Sequence, residues 1–347
     1  MRVLVTGNRG YIGSVLCGKL SREGFSVVGL DTNFYQGCNF LDLDYSHKQI
    51  TKDIRNITKD DLLGIDAIIH LAALSNDPMG ALNPRLTSEI NYLASIKLAS
   101  LARECKVERF IFSSSCSVYG VAGDEMINES GALSPETEYA RSKVESEKEI
   151  AKLADKIFSP VFLRNATVYG ISPMLRVDLV VNNLAGWAFT TGKIKVMSDG
   201  TPWRPLIHIQ DICDAFIAVL KAPKGLIHNQ VFNVGNNKEN YRVKDIVSSI
   251  NKEMPQCNIE YTGEHGADTR TYRVNFDKFT TTLGDFFQSK WDIEKGIKEI
   301  LSFYKQNSFN RNDFEGDRFT RLKRIKKLIS EGKVDVNLFW KEGENHD

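Results

Sequence analysis

No stretch of this 347-residue chain reaches the run of about 18 apolar residues that a membrane-spanning helix needs, so no transmembrane helix is predicted. Charge of one sign is also missing: 45 Lys and Arg meet 44 Asp and Glu, a net charge of +1. That balance offers no electrostatic footprint for nucleic acid or a membrane surface as the main partner. Cysteine is sparse and scattered, at Cys17, Cys38, Cys105, Cys116, Cys213 and Cys257, with no CxxC pair. A zinc site and a disulfide frame are therefore not expected, and reduced thiols in a cytoplasmic protein are. There is no internal repeat, low-complexity tract or flexible linker. Arg2 to Val5 already reads as strand, so a signal peptide is not expected.

What is present is a regular alternation. Short apolar runs, Arg2 to Val5, Phe25 to Leu30, Ala67 to Leu71, Phe110 to Ser113 and Val161 to Arg164, read as strands. Between them lie helical stretches through Leu20, from Leu82 to Cys105, and from Tyr139 to Ala154. Fully apolar strands separated by helices predict an α/β fold: a doubly wound parallel sheet buried on both faces. After Gly170 the rhythm changes. A helix (Asp178 to Thr190), a strand (Lys193 to Met197), a sheet-covering segment (His208 to Leu220), a last strand (Val231 to Val234) and a small α+β region (Tyr241 to Arg273) follow. The expected organisation is two interleaved domains and a charged, partly helical tail.

Thr6-Gly7-Asn8-Arg9-Gly10-Tyr11-Ile12-Gly13 sits between the first strand and the first helix. A helix N-terminus carries unpaired N–H groups and partial positive charge, which suits a pyrophosphate. Gly7 permits the tight turn, Gly10 the close approach of phosphate, and Gly13 the packing of helix on sheet. Asp31, 18 residues after Gly13, can accept both hydroxyls of a ribose and repel a 2′-phosphate, which favours NAD over NADP. Asp53 and Ile54 are candidates for the adenine. A generic βα turn and an ordinary strand-end Asp are the competing readings.

Tyr139 and Lys143 stand at i and i+4, on one helix face. Free tyrosine, with a pKa of about 10, is a poor base at neutral pH, and a nearby ammonium favours its anion. Ser115 can bond the substrate oxygen. Together they suit removal of a proton from a sugar hydroxyl while a hydride leaves the same carbon. A surface Tyr and Lys on an amphipathic helix would share the spacing.

These motifs join His70-Leu71-Ala72-Ala73, Asn91, Ser113 to Gly120, Leu163-Arg164 with Val168-Tyr169-Gly170, Arg204 to Asp211, and Phe232 to Gly235. In that order the chain resembles the extended short-chain dehydrogenase/reductase family, the NAD-dependent nucleotide-sugar epimerases and dehydratases, from Arg2 to about Lys278. The resemblance implies a Rossmann domain for NAD (residues 1–170 and about 205–236). It implies a smaller α+β domain for a nucleoside diphosphate sugar (about 171–204 and 237–310), a tail (311–347), and a homodimer through the helices around Asn91 and Tyr139. It adds Arg9, Tyr11, Ile12, Leu71, Ala72, Ala73, Asn91 and Ser113 to the cofactor site.

The family's 4,6-dehydratases carry Asp then Glu where this chain has Cys116 and Ser117. A small pair there resembles the 4-epimerases; a ketoreductase or dehydrogenase is the alternative. Cys116 is open between a buried small residue and a thiol at the sugar. Thr167 replaces a family Asn. Arg204 fits the arginine that grips diphosphate, while Arg270 and Arg176 are candidates that could equally lie on the surface. Ser75 and Asp77, in the loop after His70 to Ala73, are expected at the rim of the sugar pocket, although Asn-Asp-Pro also reads as a plain turn. In the tail, Leu322, Ile325, Leu328 and Ile329 share a stripe. That stripe suits a membrane surface, a partner, or docking on its own subunit.

Overall fold

The computed structural model describes residues 1–43, 47–75, 77–80, 83–263, 270–341 and 343. In chain order the strands are β1 (Arg2–Thr6), β2 (Ser26–Asp31), β3 (Lys48–Thr51), β4 (Ala67–His70), β5 (Arg109–Ser115), β6 (Val121–Ile127) and β7 (Ser159–Asn165). There follow β8 (Thr167–Tyr169), β9 (Lys193–Val196), β10 (Trp203–His208), β11 (Gln230–Val234), β12 (Asn240–Arg242), β13 (Asn258–Tyr261) and β14 (Thr271–Val274). Seven of them form one sheet in the order β11-β7-β5-β4-β1-β2-β3, every pair parallel.

Successive strand residues point to opposite faces, which is why these strands are apolar throughout. Val3, Val5, Ile69, Ile111 and Leu163 pack on one side with Leu16, Leu20, Phe216 and Leu220 of the helices Tyr11–Arg22 and Ile209–Lys221. Leu4, Ile68, Phe110, Phe112 and Phe162 pack on the other with Leu98, Ala102 and Ile150. A third apolar cluster gathers Leu175, Val181, Leu184, Ile194, Ile246, Ile297 and Tyr304.

The strand order reverses between β1 and β4, with β2 on one side and β5 on the other. Sheets of this kind open a crevice for ligands there, at the carboxyl ends of the strands. In this chain the ends are stitched together. The Thr6 hydroxyl lies 2.6 Å from His70 Nδ1, and His70 Nε2 lies 2.7 Å from the Ser95 hydroxyl. Burial pushes the His70 pKa down to about 3, so the ring is neutral and serves as a spacer.

The stretch expected as one helix from Leu82 to Cys105 begins at Pro84–Thr87, passes through a π-helical turn at Ser88–Leu93, and continues as Ala94–Glu104. Asn83 caps its start by accepting from Arg85 N (3.1 Å), and Pro84 occupies the first helical position, where its missing N–H costs nothing. The tail packs on its own chain: Ile325 and Leu328 of the helix Arg321–Ser330, with Val334 and Leu338, join the second cluster. Lys323, Lys326 and Lys327 face water. No helix among the described residues is long and apolar enough to cross a membrane.

Candidate active site

The glycine loop leaves β1 through Gly7, whose φ of 72° is the left-handed region that glycine tolerates. A Cβ on Gly7 would meet Ala72 N at 2.8 Å, and one on Gly13 would meet the Gly7 carbonyl at 2.2 Å. Both close approaches demand glycine. Gly10 caps the helix Tyr11–Arg22 with no side-chain hydrogen bond, so its first N–H groups stay available to an anion. Asp31, at the end of β2, accepts from Arg9 N (3.1 Å) and Asn33 N (2.8 Å). Burial nevertheless raises its pKa above the ordinary carboxylate value. Asp53 caps the short turn Ile54–Asn56 and takes both arms of the Arg55 guanidinium, at 3.0 and 2.7 Å.

Opposite the loop stands the helix Glu138–Ala151. Its register is set by Thr137, whose hydroxyl accepts from Ala140 N (3.1 Å), and by Glu138 in the first turn, where a carboxylate complements the helix dipole. This places Tyr139 and Lys143 side by side, with Lys143 Nζ 5.6 Å from the centre of the Tyr139 ring. The ammonium donates to the Ser113 carbonyl at 2.7 Å. Burial pulls the Lys143 pKa down to about 8, against an upward pull from Glu147. Ser115 ends β5 and its hydroxyl accepts from Ser117 N (3.2 Å), turning the chain into a short 3-10 helix.

The loop and this helix face one cavity of about 520 Å³, a size usual for small-molecule sites. Gly7, Gly10, Tyr11, Ile12, Gly13, Asp31, Asp53, Ile54, Leu71, Ala72, Ala73, Ser113, Ser115, Tyr139 and Lys143 are brought together there. So are the sugar-side residues Ser75, Ser117, Thr167, Arg176, Arg204 and Arg270. Arg176 is buried, not on the surface. It forks onto Asp178 at 3.0 and 2.9 Å and reaches the Ser75 hydroxyl at 3.1 Å.

Four expected residues stand elsewhere or go undescribed. Cys116 does not line the cavity: its thiol donates to the Arg164 carbonyl (3.2 Å), and burial raises its pKa. The 3-10 turn after Ser115 rotates that side chain inward. Asn91 lies behind the wall, on the π-helical turn, and accepts from Leu74 N (2.7 Å) while donating to Leu74 O (3.1 Å), so it holds the loop after β4. Arg9 touches the site through its backbone bond to Asp31. The Asp77 side chain lies outside the described residues. Sequence reading missed Tyr35, Lys52, Asn165 and Arg321, which also line the cavity. The first two follow strand ends, a position that could have marked them. Arg321 carried no such signal.

Residues 3–235 match the family model described as the NAD dependent epimerase/dehydratase family. The chain belongs to that family. A UDP-glucose 4-epimerase of Lactobacillus helveticus is 30% identical over 308 residues, covering 82% of this chain and 91% of its own. A dTDP-D-glucose 4,6-dehydratase of Homo sapiens is 25% identical over 337 residues, covering 90% and 93%. Among solved structures, a UDP-glucuronic acid 4-epimerase from Bacillus cereus, in complex with UDP-glucuronic acid and NAD, superposes with a TM-score of 0.77. It is 25% identical and covers 88% of this chain and 99% of that one.

A family enzyme of this type depends on NAD, and the residues present fit it. The glycine cradle excludes Cβ atoms where a backbone must come close. Two buried polar atoms on the cavity wall, Ser117 Oγ and Asn165 Oδ1, have no hydrogen-bond partner among the described residues, as expected of groups that a ligand satisfies. No group of described His, Cys, Asp or Glu could hold a metal.

Behind the site runs a buried polar chain. Ser114 donates to Glu147 (2.5 Å), Arg164 forks onto Glu147 (3.1 and 2.6 Å) and bonds the Tyr119 hydroxyl (3.0 Å), and Tyr119 donates to Asn233 (2.6 Å). The two charges are about 95% buried. Removing one leaves the other unpaired in a medium that solvates it poorly. Glu147→Ala is expected to destabilise the protein by about 3–5 kcal/mol, measured by urea unfolding; an unchanged midpoint would contradict this account of the pair.

Proposed function

We propose that the chain is an NAD-dependent nucleotide-sugar 4-epimerase. The observation that carries the reading is the chemistry around Ser115 and Tyr139. Among the described residues the wall there is Ser113, Ser117, Asn165 and Thr167, none of them ionisable. The described carboxylates of the cavity are occupied elsewhere, Asp31 by two backbone N–H groups, Asp53 by Arg55 and Asp178 by Arg176. Loss of water from a sugar needs an acid for the leaving hydroxyl and a base for a second carbon. Epimerisation at one carbon needs only a group that takes and returns a single proton.

Tyr139 fills that role, with its hydroxyl as the proton carrier and the Lys143 ammonium favouring its anion. Ser115 hydrogen-bonds the same sugar oxygen as it changes from alcohol to carbonyl and back. Bound NAD supplies the hydride acceptor and, once reduced, the donor. Arg204 and Arg270 meet the diphosphate of the substrate, and the apolar Leu179 and Val180 meet its base. Residues 1–170 with about 205–236 form the cofactor domain, about 171–204 with 237–310 the sugar-nucleotide domain, and 311–347 the tail. A homodimer through the helices around Asn91 and Tyr139 is supported by Leu93, which is 53% exposed there. Six free cysteines support a cytoplasmic location.

Denaturing the purified protein and quantifying what it releases tests the reading. Near-stoichiometric NAD, with turnover of a UDP-sugar in the absence of added cofactor, is the expected result. An empty protein that consumes added reduced cofactor would overturn it in favour of a ketoreductase.

A further inference from the structure

The tail does more than cover apolar surface. It crosses the two loops that follow β2 and β3, beside the carboxylates assigned to the adenosine half of the cofactor. Trp340 Nε1 donates to the Thr32 carbonyl at 2.6 Å, and its ring lies 5.8 Å from that of Phe34. Arg324 donates to the carbonyls of Phe34 (3.3 Å) and Gln36 (3.1 Å). From the other side, Arg55 donates to the carbonyls of Asn337 (2.9 Å) and Leu338 (3.1 Å) and lies 3.6 Å over the Phe339 ring. The same Arg55 grips Asp53.

The first residue of the tail helix enters the cavity wall. Arg321 is 2% exposed, lies 4.1 Å over the Tyr35 ring, and donates through Nη2 to the Met174 carbonyl at 2.9 Å. Its Nη1 is buried with no partner, and no described carboxylate lies within ion-pair distance of it. Of the nearby cations, Arg176 is paired with Asp178 and Lys52 with Asp61. A buried guanidinium with no carboxylate in contact is costly unless something anionic comes to it.

We propose that residues 317–341 are a clamp on the dinucleotide, and that Arg321 supplies the positive charge for its pyrophosphate. This rests on the NAD reading above. If the adenosine ribose sits on Asp31, the pyrophosphate is the next anionic group along the cofactor, one methylene from that ribose. Arg321 stacks on Tyr35, four residues beyond Asp31, and so serves the dinucleotide end of the cavity. Arg204 and Arg270 serve the substrate end. Because the tail binds the loops that carry the ribose and adenine contacts, docking of the tail and retention of NAD stabilise each other.

The test uses the full chain, stripped of bound nucleotide, with Arg321→Gln and Trp340→Ala as variants and calorimetry with NAD, ADP, adenosine and UDP as probes. Arg321→Gln is expected to weaken NAD and ADP at least tenfold and to leave adenosine and UDP unchanged. Trp340→Ala is expected to weaken all three adenosine ligands and to release NAD faster. Equal loss of adenosine in Arg321→Gln would reduce the residue to packing and overturn the charge assignment. Loss confined to UDP would give Arg321 to the nucleotide sugar instead. Unchanged binding in both variants would overturn the clamp while leaving the NAD reading intact, whereas a wild-type protein that binds neither NAD nor ADP would overturn that reading itself.

Discussion

Tyr139→Phe is expected to lower turnover by about 10²–10⁴-fold, the range that a positioned proton carrier supplies, with the fold and the bound NAD unchanged. Phenylalanine keeps the ring near Lys143 and removes only the hydroxyl. No other described residue beside Ser115 can take its place, since the wall there holds serine, asparagine and threonine. Rate measurements with a UDP-sugar, together with cofactor quantification and circular dichroism, separate the outcomes. Turnover within a few-fold of wild type would remove Tyr139 from the reaction.

Lys143→Met is expected to abolish most turnover and yet raise the thermal midpoint of the cofactor-free protein. The folded pKa of Lys143, about 8, lies below its ordinary value of 10.5. Between those two values the unfolded chain binds more protons, so stability rises with pH across that window. Below about 8 the buried charge is fully present and costs roughly 3 kcal/mol, from about 1.4 kcal/mol per pKa unit. Methionine removes that cost, less about 1 kcal/mol for the lost bond to the Ser113 carbonyl. In the wild type the same titration discharges the ammonium beside Tyr139, so activity is expected to fall as pH rises through about 8. A lower midpoint for Lys143→Met, or a flat pH profile to pH 10, would contradict the assignment.

Much of this was readable because it depends on local rules. Gly7 and Gly13 are forced by backbone approaches within one βα turn, and the apolar runs of β1, β4 and β5 are forced by burial on both faces. Tyr139 and Lys143 share a face because helices repeat every 3.6 residues. What escaped depends on distant pairing. β6 holds Gly123 and Asp124, poor strand formers, and exists because β14 lies beside it. Cys116 follows Ser115 directly, but a change of backbone at that point turns its thiol to Arg164. Asn91 was legible as a motif, while its bonds to Leu74 belong to a loop 17 residues earlier. Arg321 sits in a basic stretch whose composition gives no hint that one of its cations is buried.

The bond from Trp340 to Thr32 joins positions 308 residues apart, and it has a consequence in time. A chain made from its N-terminus has all seven strands of the main sheet by Val234, roughly a hundred residues before Trp340 is added. At about 5–20 residues per second, that interval is several seconds. The nascent protein therefore has a finished floor for the nucleotide before the segment that covers its side, around Trp340, has been made.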